Sequence, residues 1–232
     1  SGFVFISLLG GIQPALKLVA SLQLLMGIVL LWLSPALLFK KTAFAICFFI
    51  VLMGGVFFGK RWDPALLYSG MYLYAPKYSD NLNDFKEGLH QGKILFHKEG
   101  IHATVTVKDF HKEWLVLFIN GKGDASSWER PESDFASQCL LAHIPSLLHP
   151  DPRSAAIIGL GSGSTVGAAL SYPLQEIDVI EISPEVIEAS RLFSRANNHA
   201  LDDPRVRLIV HDARQYLLAA QKRYDLILSE PS

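Results

Sequence analysis

Residues 156–182, AIIGLGSGSTVGAALSYPLQEIDVIEI, constrain the fold more tightly than any other part of the chain. An apolar strand runs into three alternate glycines, Gly159, Gly161 and Gly163. A helix-compatible stretch follows, and then a second apolar strand ending in Glu181. Glycines at a strand-to-helix turn let backbone N–H groups approach a ligand closely. An acid at the end of the next strand stands where it accepts hydrogen bonds from a ribose diol. The block predicts a nucleoside-cofactor site on a doubly wound sheet.

The pattern continues on both sides. Apolar strands are predicted at 155–158, 177–180, 206–210 and 225–228, with helices starting at Ser164, at Ser183-Pro184 and near Ala213. Serine at the N-cap followed by proline is a strong helix start. Strand–helix alternation with short loops implies a parallel α/β sheet with right-handed crossovers. Upstream, residues 134–148 have helical spacing and end in His149-Pro150-Asp151-Pro152. Before them, residues 93–97, 101–108 and 113–119 are β-rich, and Asn120-Gly121 closes the third run with a hairpin signal. A small antiparallel sheet is expected there, preceded by an aperiodic connector over 62–92.

The ligand follows from the glycine spacing. A dinucleotide site requires G-x-G-x-x-G, but the sixth position is Ser164 counted from Gly159 and Val166 counted from Gly161. G-x-G-x-G with an acid after the second strand suits a mononucleoside such as S-adenosylmethionine or a relative. Asp212, just after the third strand and before Ala213, stands where it accepts a hydrogen bond from an adenine amino group; an aspartate there is equally a good N-cap. Glu230 follows the fourth strand at the same rim and is a candidate general base. The eight histidines show no metal-ligand spacing, so no metal is expected.

The charge distribution divides the chain. Residues 1–58 carry only Lys17, Lys40 and Lys41, whereas the rest holds the other 18 of 21 bases and all 22 acids, a net charge of −4. Nothing resembles the basic stripe of a nucleic-acid binder. Residues 15–39 are apolar enough to cross a bilayer, which takes about 20 residues. Residues 42–58 form a second uncharged run, separated from the first by Lys40-Lys41 and closed by a basic-aromatic segment at 59–62. Residues 3–12 read as the tail of an earlier span. Cys47 lies in a span and Cys139 in a predicted helix, so no disulfide framework is implied. The chain does not start with methionine, and both ends read as cut. The expected domains are a transmembrane segment at 1–61, a linker with a small β-sheet at 62–126, and a truncated nucleoside-binding α/β domain at 127–232.

From Trp62 onward the chain resembles the spermidine synthase (polyamine aminopropyltransferase) family. More closely, it resembles the membrane-embedded bacterial proteins in which such a domain follows transmembrane helices. The resemblance is carried by Asn120-Gly121-Lys122 with Asp124-Ala125-Ser126, by Gln138 with Leu140-Leu141-Ala142-His143-Ile144-Pro145, and by His149-Pro150-Asp151-Pro152. The glycine block, Val179-Ile180-Glu181-Ile182, Asp202-Asp203-Pro204-Arg205-Val206, His211-Asp212-Ala213-Arg214 and Tyr224-Asp225-Leu226-Ile227 through Ser232 complete it. It implies that Gly159, Gly161 and Gly163 line a sulfonium or thioether nucleoside, that Glu181 holds its ribose, that Asp212 and Ala213 contact its adenine, and that Gln138 reaches its tail. Glu230 takes the place of the family's catalytic aspartate. The implied co-substrate is decarboxylated S-adenosylmethionine, or S-adenosylmethionine itself, with a small amine as acceptor. Ser162 stands where the soluble enzymes carry an aspartate that holds the aminopropyl ammonium, and Ser137 where they carry a tyrosine for the diamine.

Three functions fit these residues. One is a membrane-anchored aminopropyltransferase, facing the cytoplasm where its nucleoside is made. The others are an S-adenosylmethionine-dependent transferase acting on another acceptor, and a non-catalytic nucleoside- or polyamine-binding sensor on a membrane transporter.

Overall fold

The computed structural model describes residues 9–33, 35, 38–57, 62–63, 65, 68–70, 73, 87–88, 90–110, 114–127 and 134–230. The chain divides into two compact units, Ser1–Pro64 and Ala65–Ser232.

The first unit holds two helices, α1 (Ile12–Leu33) and α2 (Leu38–Phe57). Pro14 lies in the first turn of α1, where a missing N–H leaves no intrahelical bond unmade. Leu16, Leu22, Leu25 and Leu30 are all exposed, so the helix is apolar around its circumference. Its 22 residues rise about 33 Å, more than the ~30 Å hydrocarbon core of a bilayer. Among the described residues, α1 is the helix long and apolar enough to cross a membrane.

The break between the two helices differs from the expectation. Lys40 and Lys41 lie inside the first turn of α2 rather than between two spans. The chain bends at Pro35 instead, because proline cannot continue a helix and disfavours helical geometry in the residue before it. The expected earlier span over 3–12 falls mostly outside the described residues, as does most of the basic closing segment at 59–62.

The second unit begins, among its described elements, with an antiparallel sheet. Its strands are β1 (Lys93–Glu99), β2 (Thr104–Asp109), β3 (Leu115–Ile119) and β4 (Lys122–Ser126), in the order β1-β2-β3-β4. Asn120 (φ 52°) and Gly121 (φ 83°) both take positive φ, as a two-residue hairpin turn requires. The fourth strand was not predicted: Lys-Gly-Asp-Ala-Ser contains no strong β-former, and pairing with β3 overrides its propensity. Most of the expected connector over 62–92 lies outside the described residues.

The helix α3 (Asp134–Leu148) leads into the α/β layer. This consists of β5 (Ser154–Ile158), α4 (Ser164–Ala169), β6 (Glu176–Glu181), α5 (Pro184–Ser190), β7 (Val206–Val210), α6 (Ala213–Ala219) and β8 (Leu226–Ser229). The four strands are parallel, in the order β7-β6-β5-β8. Ile157, Val179 and Leu228 pack with Val166, Val186 and Phe193, and the same core continues through Ala142 to Val105, Val107 and Leu117 of the antiparallel sheet. The expected α/β architecture with a preceding antiparallel sheet is therefore present. At the start of α5, Ser183 occupies the N-cap position, yet its hydroxyl donates to Glu185 (2.8 Å) rather than accepting from the helix.

Candidate active site

The strand order sets the carboxyl ends side by side. Asp212 follows β7, Glu181 ends β6, the glycine block follows β5 and Glu230 follows β8. The order reverses between β5 and β8, the place where open α/β sheets bind ligands.

At that reversal the glycine block and Glu230 meet. The Glu230 N–H donates to the Ile158 carbonyl (3.0 Å), so the residue stays registered on β5. Gly159 has φ +86°, and a Cβ there would stand 3.0 Å from the Glu230 carbonyl oxygen. Gly161 has φ +52°, and its Cβ would stand 3.1 Å from Glu230 Oε1. A side chain at either position would be strained in its backbone and would press on Glu230.

The Glu230 carboxyl is part of a hydrogen-bonded group built from three elements. Its Oε2 lies 2.9 Å from the hydroxyl of Thr165, in α4. The same threonine hydroxyl lies 3.1 Å from the carbonyl oxygen of Gln138, in α3. Gln138 is buried, and its Oε1 accepts from the Ser162 hydroxyl (3.0 Å), which lies 2.8 Å from that of Ser164. Burial pushes the Glu230 carboxyl up to about 7, and the neighbouring charges of Asp124 and Glu181 push the same way against the opposing influence of Thr165 and Gln138. A carboxyl titrating near neutrality suits a general base.

Glu181 is buried, and each of its oxygens accepts a backbone N–H: Oε2 from Leu160 (3.0 Å) and Oε1 from Ser183 (2.8 Å). It thus ties the glycine block to the end of its own strand. An ionised carboxylate has about four acceptor sites, so both oxygens retain capacity for a diol. From the other side, Asn197 Nδ2 donates to the Ser162 carbonyl (2.9 Å) and fixes the block in place. Asp212 Oδ1 accepts from the Gln215 N–H (2.8 Å), so it caps α6, and Ala213 is the first residue of that helix. The structure therefore gathers Gly159, Gly161, Gln138 and Glu230 at one point, with Glu181 next along the rim and Asp212-Ala213 beyond it at the end of β7.

Two contributors were given no site role by the sequence. Thr165 lies two residues beyond Gly163, and its hydroxyl gave no spacing signal of its own. Asp124 comes from β4, a strand that propensity did not reveal, and its effect on Glu230 crosses from one sheet to the other.

Parts of this chain are similar to known proteins. Residues 134–232 match the family model described as spermine/spermidine synthase domain. A polyamine aminopropyltransferase of Methanocaldococcus jannaschii is 29% identical over 159 residues, covering 63% of this chain and 54% of that protein. A spermidine synthase of Dictyostelium discoideum is 30% identical over 141 residues, covering 60% of this chain and 48% of that protein. The chain thus spans about half the length of the curated relatives it matches. The crystal structure of spermidine synthase from Thermotoga maritima superposes with a TM-score of 0.54 at 22% identity, over 60% of this chain and 47% of that one. A spermidine synthase in complex with the transition state analogue AdoDATO matches with the same TM-score, 0.54. These two likenesses establish the fold.

Proposed function

We propose, from the match of residues 134–232 to the spermine/spermidine synthase domain, that this chain is part of a membrane-anchored aminopropyltransferase. Its co-substrate is decarboxylated S-adenosylmethionine and its acceptor a small amine. The observation that carries this reading is Glu230, a carboxyl poised near neutrality directly against the glycine block.

In the proposed reaction the neutral amine nitrogen attacks the propyl carbon bonded to the sulfonium. A C–N bond forms, the C–S bond breaks, and the sulfur leaves with the electron pair as a neutral thioether, methylthioadenosine. The proton of the new ammonium passes to the Glu230 carboxylate. Gly159, Gly161 and Gly163 line the nucleoside, Glu181 accepts from its ribose and Asp212 with Ala213 meets its adenine. Gln138 lies along its aminopropyl chain. Joining two bound substrates in one site supplies much of the rate.

The apolar helices support a multi-pass anchor in the cell membrane, with α2 as a second span. The nucleoside is made in the cytoplasm, which favours a cytoplasmic α/β domain. Calorimetry on the full-length protein with decarboxylated and carboxylated nucleosides, followed by product analysis with 1,4-diaminobutane, tests the reading. Tighter binding of the decarboxylated form and release of methylthioadenosine are expected. Equal or tighter binding of S-adenosylmethionine would point to transfer onto another acceptor, and binding without thioether release would leave only a sensor.

A further inference from the structure

The antiparallel sheet contributes a charged side chain to this site. Along β3 and β4 the pairing runs Leu117↔Ala125 and then Phe118↔Gly123, which leaves Asp124 as the extra residue of a bulge. A bulge re-aims the side chain it inserts, and bulges recur beside active sites for that reason. The neighbouring Ala125 lies 3.8 Å from where a Cβ at Gly161 would stand, and Glu230 Oε1 lies 3.1 Å from the same point. Strand β4 therefore reaches the glycine block where Glu230 stands. The charge of Asp124 is felt at Glu230, as its upward push on the Glu230 carboxyl shows.

Among the described residues, Asp124 is poorly compensated for so buried a charge. Its side chain is 11% exposed, and its ion-pair partner there is the ammonium of Lys122 at 3.6 Å, on a side chain 49% exposed. Charge-assisted bonds usually fall at about 2.7–2.9 Å, so this contact is long, and its exposure leaves it screened and weak. The glycine block adds no charge of its own, since it holds no ionisable side chain, and the Ser162 hydroxyl bonds to Gln138 and Ser164. Two carboxylates at one partly desolvated rim favour a cation beside them. A primary ammonium is such a cation, and that of Lys122 already lies beside one of the two, Asp124.

We propose that Asp124 is a specificity-determining residue that holds the distal ammonium of a diamine acceptor, displacing Lys122, while Glu230 receives the proton of the reacting amine. This deepens the aminopropyl-transfer reading and rests on it. Acceptors with a second, protonated amino group are then preferred over monoamines of the same length, the difference arising from one charged contact.

The test is calorimetry on the full-length protein loaded with methylthioadenosine, comparing 1,4-diaminobutane with butylamine. The unaltered protein should bind the diamine at least tenfold more tightly. Asp124→Asn should abolish that preference while changing nucleoside affinity less than twofold. Lys122→Met, which removes the internal competitor, should tighten the diamine severalfold and leave butylamine unchanged. This second variant decides the matter if Asp124→Asn does not fold. An intact diamine preference in Asp124→Asn, equal weakening of both amines, or an unchanged diamine affinity in Lys122→Met would overturn the assignment. Nucleoside binding with no diamine preference in the unaltered protein overturns this assignment alone, whereas failure to bind methylthioadenosine overturns the aminopropyl-transfer reading beneath it.

Discussion

Thr165 Oγ1 lies 2.9 Å from Glu230 Oε2 and 3.1 Å from the carbonyl oxygen of Gln138, with a single proton to give. When Glu230 is ionised that proton belongs to the carboxylate. When Glu230 is protonated it donates to Thr165, which is then released to donate to Gln138. The threonine therefore follows the charge of the proposed base and favours its ionised form. Thr165→Val removes the bond to the anion and should raise the Glu230 pKa. The rising limb of kcat/KM against pH, expected near 7, should move up by about one unit, and Thr165→Ser should restore it. A limb that stays in place in Thr165→Val would separate Thr165 from the titration.

Glu230→Gln should lower turnover by about 10²-fold or more while nucleoside affinity stays within a factor of two. The same variant has a stability signature. In the folded chain the carboxyl is raised to about 7 from an ordinary value of 4.5. The folded state then binds more protons than the unfolded state between those limits, so stability falls as pH rises through that window and is flat above it. Glutamine carries no such penalty, and Glu230→Gln should gain on the order of 2 kcal/mol over the unaltered protein at pH 8, with no gain at pH 4. Paired denaturant titrations at the two pH values check this. Full turnover in the variant would remove Glu230 from the chemistry.

Glu181 joins β6 to the glycine block through the N–H groups of Leu160 and Ser183. Glu181→Gln must turn an amide NH₂ toward one of these donors, leaving it unsatisfied at a cost of about 1–3 kcal/mol. A lower melting temperature is therefore expected whatever the ligand. Ribose recognition has a separate readout. The unaltered protein should prefer methylthioadenosine to its 2′,3′-dideoxy analogue at least tenfold, and Glu181→Gln should lose most of that preference. A preference that survives the substitution would leave Glu181 with its loop-anchoring role alone.

The α/β layer was legible because its signals are local. Apolar strands, short loops and the Gly159–Gly163 spacing each follow from a few adjacent residues, and the order of Glu181, Asp212 and Glu230 along the rim follows from the alternation. What stayed hidden depends on tertiary pairing. Lys122–Ser126 becomes a strand because β3 pairs with it, and only that pairing brings Asp124 toward Glu230. In the apolar unit the charges at Lys40-Lys41 suggested the boundary, but the conformational restriction at Pro35 sets it. At Asp212 both sequence readings stood open, and the capping bond to Gln215 engages one oxygen without removing the other from the rim.

Asp178 lies on β6 three residues before Glu181, on the opposite face of the sheet, and its side chain is 3% exposed. Burial by itself would raise its pKa, but bonds from Arg207 (2.9 and 2.8 Å), Tyr224 (2.6 Å) and Lys222 (3.1 Å) outweigh that and hold it at about 2. Its folded pKa is thus depressed from 3.8, so its contribution to stability is present above the unfolded value and is lost as pH falls through about 2. Asp178→Asn should cost roughly 2 kcal/mol at pH 7, and the gap from the unaltered protein should close as pH falls from 4 toward 2. Arg207 is 61% exposed, so high salt should narrow the gap only slightly, through that one partner. Because the cluster faces away from the rim, nucleoside affinity should change less than twofold. A gap independent of pH would mean that Asp178 acts through packing rather than charge, and a large loss of nucleoside affinity would show that this face of the sheet communicates with the site.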